Sequence, residues 1–389
     1  MTHYDVVIVG GAIVGSSTAY FLRKNGFKGS VAVIEKDPTY ARACTPLSWG
    51  GIRGQFSTPE NILLSGFTLR LIRGLKQEFG AEADISFREK GYLVLASEGS
   101  VPVLMGNAHL QNSMGVDTVL FDRTELAKKY PYANFDGIAM GSWGRTGEGW
   151  FDPYGFLTLI RKGAIAKGVD YIADEVVAIE AGARVTSVTL KKAGKISAGA
   201  VVNAGGTSGG AIAGMVGFDL PVSAAKRYVY VVDCPAASEE FREGPKWFNA
   251  DGVYWRSEGR NFIFGFTPSD DEEPKIADWE MDHHWFEEKI WPSAFERIPD
   301  FETLKVVSSY VGHYDYNWFD QNGIIGRHPS LPNFYFGNGF SGHGIQQGPA
   351  TGNAISELII YGEYRTIDLK TLGVERIAAN KPLFEKNIY

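Results

Sequence analysis

Cysteine is nearly absent. Cys44 and Cys234 are the only two in 389 residues. Two thiols cannot build a disulfide framework or a multi-cysteine zinc centre, and they fit a reducing compartment. Long apolar runs are missing too. The longest, Val6 to Gly15, is about ten residues and contains Gly10 and Gly11, whereas a bilayer span needs roughly 20. No block of like charge stands out. Lys and Arg number 38 against 45 Asp and Glu, a net charge of −7, and no basic stripe offers a track for nucleic acid. The beginning of the chain lacks the basic region and small-residue cleavage site of a signal or transit peptide. Internal repeats and low-complexity linkers are also lacking. These absences predict a soluble, cytoplasmic protein with no membrane span, no nucleic-acid partner and no metal centre.

Glycine and apolar residues are what the chain has in abundance. There are 47 glycines, and 44% of residues are hydrophobic, which excludes disorder. The length allows two or three domains' worth of core at about 150 residues each. So much glycine without repeats points to tight backbone sites, as in nucleotide-binding enzymes. Tyr4 to Val9 reads as a buried strand ending at Gly10-Gly11. A helix is predicted from Ile13 to Asn25, and a second buried strand, Val31 to Ile34, ends at Glu35. Further helices are predicted after Thr58-Pro59, at Thr124 and after Asp152-Pro153, with Asp152 as an N-cap. Ile85 to Ala96 reads as two strands turning at Lys90-Gly91.

Three glycine-rich segments carry chemistry. Gly10-Gly11-Ala12-Ile13-Val14-Gly15 joins strand to helix as a dinucleotide fingerprint does, with Ala12 in the place of the second glycine. Glu35 lies 20 residues beyond Gly15, where a carboxylate can accept from ribose hydroxyls; Lys36 follows it. Asn203-Ala204-Gly205-Gly206 ends another buried strand. Alone it is a loop; beside the first fingerprint it reads as a second cofactor-approach segment. Asn338 to Gln346 holds Gly339, Gly342 and Gly344 before a helix with Pro349 in or near its first turn. By physics alone it reads equally as a helix start or as an anion site at a helix N-terminus.

Four blocks, Val6 to Gly15 with Glu35, Ser48 to Arg53, Val201 to Gly206 and Gly339 to Gly344, together resemble the FAD-dependent D-amino-acid oxidase superfamily, which includes sarcosine and glycine oxidases. Gly51 to Asn61 and Tyr314 to Gly323 carry a closer likeness to one subgroup. The resemblance implies an α/β fold in which a Rossmann-like FAD-binding domain (1–84, 151–217, 311–389) is interleaved with a mixed, largely antiparallel sheet domain for substrate (85–150, 218–310). It implies oxidation of the carbon next to nitrogen in an amino acid or N-alkyl amine, by hydride transfer to flavin N5, giving an imine that hydrolyses. Gly10, Ala12 and Gly15 would face the pyrophosphate, Glu35 the adenosine ribose and Val176 the adenine, with Gly11, Ile13, Val14 and Lys36 also at the cofactor. Ser48, Gly50 and Gly51 would follow the flavin-side phosphates and ring, with Ala204, Gly205 and Gly206 also at the cofactor. Gly342, His343, Gly344 and Ile345 would bracket the flavin's N1–C2=O edge, with Gly339 and Gln346 also at the cofactor.

Sarcosine-oxidase-type members attach FAD to a cysteine where this chain has Gly312, so noncovalent FAD is expected. Their oxygen-promoting lysine aligns with Ile263, which leaves the electron acceptor open between oxygen and a partner protein or subunit. Their carboxylate-binding lysine aligns with Gln346. Arg53 is the candidate for a substrate carboxylate, because guanidinium holds one through two parallel hydrogen bonds; Arg256 is its rival. Tyr254 and Tyr314 are candidate pocket walls. His343 reads as a flavin contact rather than a base, since hydride transfer from a neutral amine needs none. His313 and His328 read as structural. His283-His284, in the acidic stretch Asp270 to Glu288, reads as a solvated helix face. A hydroxy-acid dehydrogenase and a flavoprotein scaffold remain as alternatives, and the oligomeric state is open, including a homo-oligomer.

Overall fold

The structure, a computed structural model, describes residues 2–268 and 278–386. Most of the front of the acidic stretch therefore lies outside the described residues. The strand His3–Val9 has both faces buried along Val6 to Val9, as its near-continuous β-branched run requires in a parallel sheet. It pairs in parallel with Val31–Glu35 on one side and with Gly194–Asn203 on the other. The sheet runs Ile324–Arg327, Phe334–Asn338, Gly194–Asn203, His3–Val9, Val31–Glu35, Asp170–Ala173. Val176–Ala181 and Val185–Leu190 extend it antiparallel from Gly194–Asn203.

Helix Ile13–Lys24 fills one face of this sheet and stops at Asn25-Gly26 as expected. Helix Gly344–Tyr361 crosses it closely. A Cβ on Gly352 would lie 2.5 Å from the Ser17 carbonyl carbon and the Thr18 nitrogen. Gly352→Ala must therefore push two helix backbones apart. It should cost roughly 1–3 kcal/mol, the usual range for overpacking, and lower the melting temperature in thermal denaturation. An unchanged melting temperature would refute this account of the crossing.

Among the described residues the second sheet also has eight strands, running Lys305–Asn317, Val222–Asp233, Asn261–Phe266, Val253–Glu258, Lys246–Phe248, Tyr92–Ala96, Met140–Gly144, Thr118–Asp122. All its neighbours are antiparallel except Lys246–Phe248 with Tyr92–Ala96. The two sheets draw strands alternately from along the chain. Lys305–Asn317 runs through the boundary expected at residue 311 and pairs with Val222–Asp233 to its end. One long strand thus belongs to the second sheet and carries Tyr314 to the gap between the sheets.

Three local expectations need correction. Only Tyr92–Ala96 forms a strand in the Ile85 to Ala96 stretch; Arg88 makes an isolated bridge to Trp150 instead. The helix Arg123–Lys129 is capped by Asp122, not Thr124, because Asp122 accepts from the Glu125 amide at 2.8 Å and Glu125 returns the bond. Pro349 lies inside helix Gly344–Tyr361, beyond the first turn, where packing against Ile13–Lys24 outweighs the lost amide. Asp152 caps its helix as expected, accepting from Tyr154 at 3.0 Å.

Candidate functional site

A cavity of about 730 Å³ lies at the carboxyl ends of the parallel strands, under the second sheet, the crevice where open α/β sheets bind ligands. Its lining includes Gly10, Ala12, Ile13 and Val14 from the first turn, and Glu35 and Lys36 from the end of the second strand. Val176, Ala204, Gly205 and Gly206 form another wall, and Ser48, Tyr314, Gly342, Gly344 and Ile345 lie toward the second sheet.

The electrostatics favour an anion. Two long helices begin at this cavity, Ile13–Lys24 and Gly344–Tyr361, and neither has an acidic residue in its first turn. Their unpaired amides and dipoles are left to act on a ligand. Glu35 is locked in place, with its two oxygens accepting from the Gly11 amide (2.7 Å) and the Asp37 amide (2.8 Å). Each oxygen keeps a lone pair for a further donor. Asp315 pins the turn before Gly344, accepting from the amides of Gly339 (3.0 Å) and Phe340 (3.2 Å). Burial pushes its carboxyl up to about 6.

Some expected residues shape the cavity from behind. Gly15 abuts the Gly10 carbonyl, which lets helix and turn close together. Gly11 packs on Glu35, where an added Cβ would lie 3.1 Å from the Glu35 Cβ. Gly50, at φ +64°, abuts the Phe151 carbonyl, and Gly51 gives room to the Tyr92 hydroxyl. Gly339 packs against Asn317 and Val222. The Gln346 amide turns to Arg53, accepting from its backbone nitrogen at 2.9 Å.

Beside Ser48 and Tyr314 the chain builds a buried cationic box. The Arg53 guanidinium lies over Phe56, 4.8 Å from its centroid, and its Nη2 is 3.1 Å from His343 Nε2. Burial, then the charges of Arg53 and Lys246, hold His343 far below the usual histidine range. The neutral ring therefore accepts from Arg53 at Nε2, which fixes its proton on Nδ1. His343 thus fixes the guanidinium through its ring, while its backbone starts the helix. Tyr254 meets Trp49 edge-on at 4.8 Å, and burial with the neighbouring Tyr314 keeps its hydroxyl protonated. Arg256 is committed elsewhere, to Glu258 and to the Trp49 carbonyl at 3.0 Å.

Sequence reasoning missed Lys246 and Glu148. Lys246-Trp247-Phe248 held the signal for the first, a lysine alternating with aromatics on a strand. Glu148 lay unremarked in the glycine- and tryptophan-rich stretch before Trp150. Its carboxylate accepts from the amides of Gly54 (2.7 Å) and Gln55 (3.0 Å), directly after Arg53. Burial raises its pKa to about 7, against the opposing pull of those bonds and of Arg53. The folded state therefore holds this proton more tightly than the unfolded chain does. Stability contributed by the protonated form is lost as pH rises from about 4.5 to 7. Glu148→Gln should flatten the melting-temperature profile across that window; an equally steep slope in the variant would refute the assignment.

Residues 5–358 match the family described as DAO, FAD dependent oxidoreductase. The chain belongs to this FAD-dependent oxidoreductase family. It is 40% identical to FAD-dependent oxidoreductase domain-containing protein 1 of Xenopus laevis, over 99% of this chain and 84% of that protein. It is 25% identical to human mitochondrial sarcosine dehydrogenase, over 92% of this chain but 40% of that longer protein. The solved L-proline dehydrogenase of P. horikoshii superposes with a TM-score of 0.87 at 25% identity, covering 98% of this chain and 100% of that one.

The residues of this FAD-dependent oxidoreductase fit the cofactor that defines its family. The cavity has dinucleotide size, two unneutralised helix N-termini face it, and a fixed carboxylate stands at the end of the second strand. Cys44 also lines it, with burial pushing its thiol up to about 12. Among the described residues no group of His, Cys, Asp and Glu could hold a metal ion; His284 pairs with Glu288 at 2.9 Å instead. No described helix is long and apolar enough to cross a membrane.

Proposed function

We propose that this oxidoreductase oxidises the carbon next to nitrogen in an amino acid or N-alkyl amine, with FAD held noncovalently. The observation that carries the reading is the buried Arg53, with its backbone bonded to Gln346 and its guanidinium to His343, in the helix start whose Gly344 and Ile345 line the cavity. When bound, FAD supplies the hydride acceptor. Gly10, Ala12, Ile13 and Val14 would hold its pyrophosphate, Glu35 its ribose, and the Gly342–Ile345 segment the anionic edge of its ring system. Cys44 stays a neutral thiol at neutral pH, in keeping with noncovalent binding.

Arg53 binds the substrate carboxylate as a fork, and His343 keeps that fork from turning. Trp49, Tyr254 and Tyr314 wall the space and exclude water. The positive field of Arg53 favours the neutral amine over ammonium at the substrate nitrogen, and only the neutral amine can release hydride from its carbon. No protein base is needed beside the reacting carbon, and the imine hydrolyses in water.

The test is the absorption spectrum of the air-free holoprotein during titration with amino acids and N-alkyl amino acids. Loss of the oxidised flavin band with one member supports the reading and identifies the substrate. Re-admitted air then separates an oxidase from a dehydrogenase. A flavin that stays oxidised with every amine, yet is bleached by a hydroxy acid, would overturn it.

A further inference from the structure

Alternation along Lys246–Phe248 turns Trp247 into the aromatic core of the second sheet and sends Lys246 and Phe248 to the opposite face. On that face Lys246 Nζ sits among Trp49 (4.6 Å), Phe248 (4.7 Å), Tyr254 (4.9 Å) and Tyr92 (5.0 Å). The residue is 7% exposed. Among the described residues its Nζ has neither a hydrogen-bond acceptor nor a carboxylate partner, whereas Arg256 nearby has Glu258. The four ring faces attract the ammonium by cation–π interaction but offer its protons no hydrogen-bond acceptor. A buried ammonium left so is costly unless an anion joins it.

Arg53 lies over two of the same rings, 5.9 Å from Tyr92 and 5.7 Å from Phe248. The two cations therefore share two aromatic walls, near enough for the charge of Arg53 to act on Lys246. We propose that Lys246 is a second anion-binding group, so that the site takes an amine bearing two carboxylates, one held by Arg53 and the other by Lys246. This rests on the reading that Arg53 holds a substrate carboxylate. Burial and the charges of Arg53 and Arg256 lower the proton affinity of Lys246 in the empty site; a carboxylate arriving beside it restores the ammonium.

Succinate and glutarate, which cannot be oxidised as amines, are the probes, with propionate and butyrate as monocarboxylate references. Calorimetric titration of the holoprotein at pH 7 should show dicarboxylates binding about 10- to 100-fold tighter, the worth of one charge-assisted hydrogen bond. Lys246→Met should erase that preference and leave monocarboxylate affinity unchanged, whereas Arg53→Met should weaken both. Lys246→Gln is the parallel variant, and the wild-type comparison alone needs no variant. Equal affinity for the two acid classes, or a preference that survives Lys246→Met, overturns the proposal. Amines that reduce the flavin alongside equal affinities would overturn only the second anion site. Lys246-dependent dicarboxylate binding with no amine reducing the flavin would overturn only the amine reading.

Discussion

Arg53→Met should slow the amine-driven loss of oxidised flavin absorbance by roughly 30- to 5,000-fold. That range is the effect of the ~2–5 kcal/mol lost when one partner of a buried charge pair is truncated. The loss should fall mainly on KM, because Arg53 binds the substrate equally before and during hydride release. Flavin content should stay intact, since the loop is held by other bonds. Gln346 accepts from the Arg53 backbone, not its side chain, and Glu148 holds the amides of Gly54 and Gln55. Arg53→Lys keeps the charge and loses the fork, so it should recover only part of the rate. Stopped-flow spectra under nitrogen read both variants. Wild-type rates and KM in Arg53→Met would remove Arg53 from substrate binding.

The glycine-turn end of the cavity was the legible part. A glycine turn, a buried strand and a carboxylate 20 residues later are set by local geometry, so Gly10, Glu35 and the helix from Ile13 could be read in order. The cationic box was not, because it is assembled from distant strands. Lys246, Tyr254 and Tyr92 meet only through the pairing of Lys246–Phe248 with two neighbours, one of them parallel and about 150 residues away in the chain. No window of sequence contains that contact. His343 shows the same limit. Its position before a helix was visible, but the bond to Arg53 spans 290 residues. The long strand Lys305–Asn317 was hidden for another reason, since it changes from exposed to buried midway and so shows no single alternating pattern.

Gly10→Val should yield protein without flavin. Gly10 has φ +100°, which valine rarely adopts, and a Cβ there would press into the Ala204 carbonyl. The turn cannot shift to make room. The Gly10 amide donates to the Ile34 carbonyl at 2.9 Å, and the Ala204 amide donates to Val9 at the same distance. Both sides of the crevice are thus tied to the strands they follow. Relief must come by rotating the segment after Gly10, which would carry the Ala12, Ile13 and Val14 amides away from the proposed pyrophosphate position. The ratio of flavin to protein absorbance after purification reads the outcome, with circular dichroism to confirm the fold. A folded Gly10→Val protein with full flavin would refute the placement of the pyrophosphate at this turn. Ala12→Gly supplies the opposite test. Ala12 sits at φ −71° in extended backbone, so nothing there demands glycine, and flavin content should not change. The fingerprint's second glycine is dispensable in this chain because its backbone is ordinary, whereas the first is fixed by its left-handed φ and its contact with Ala204.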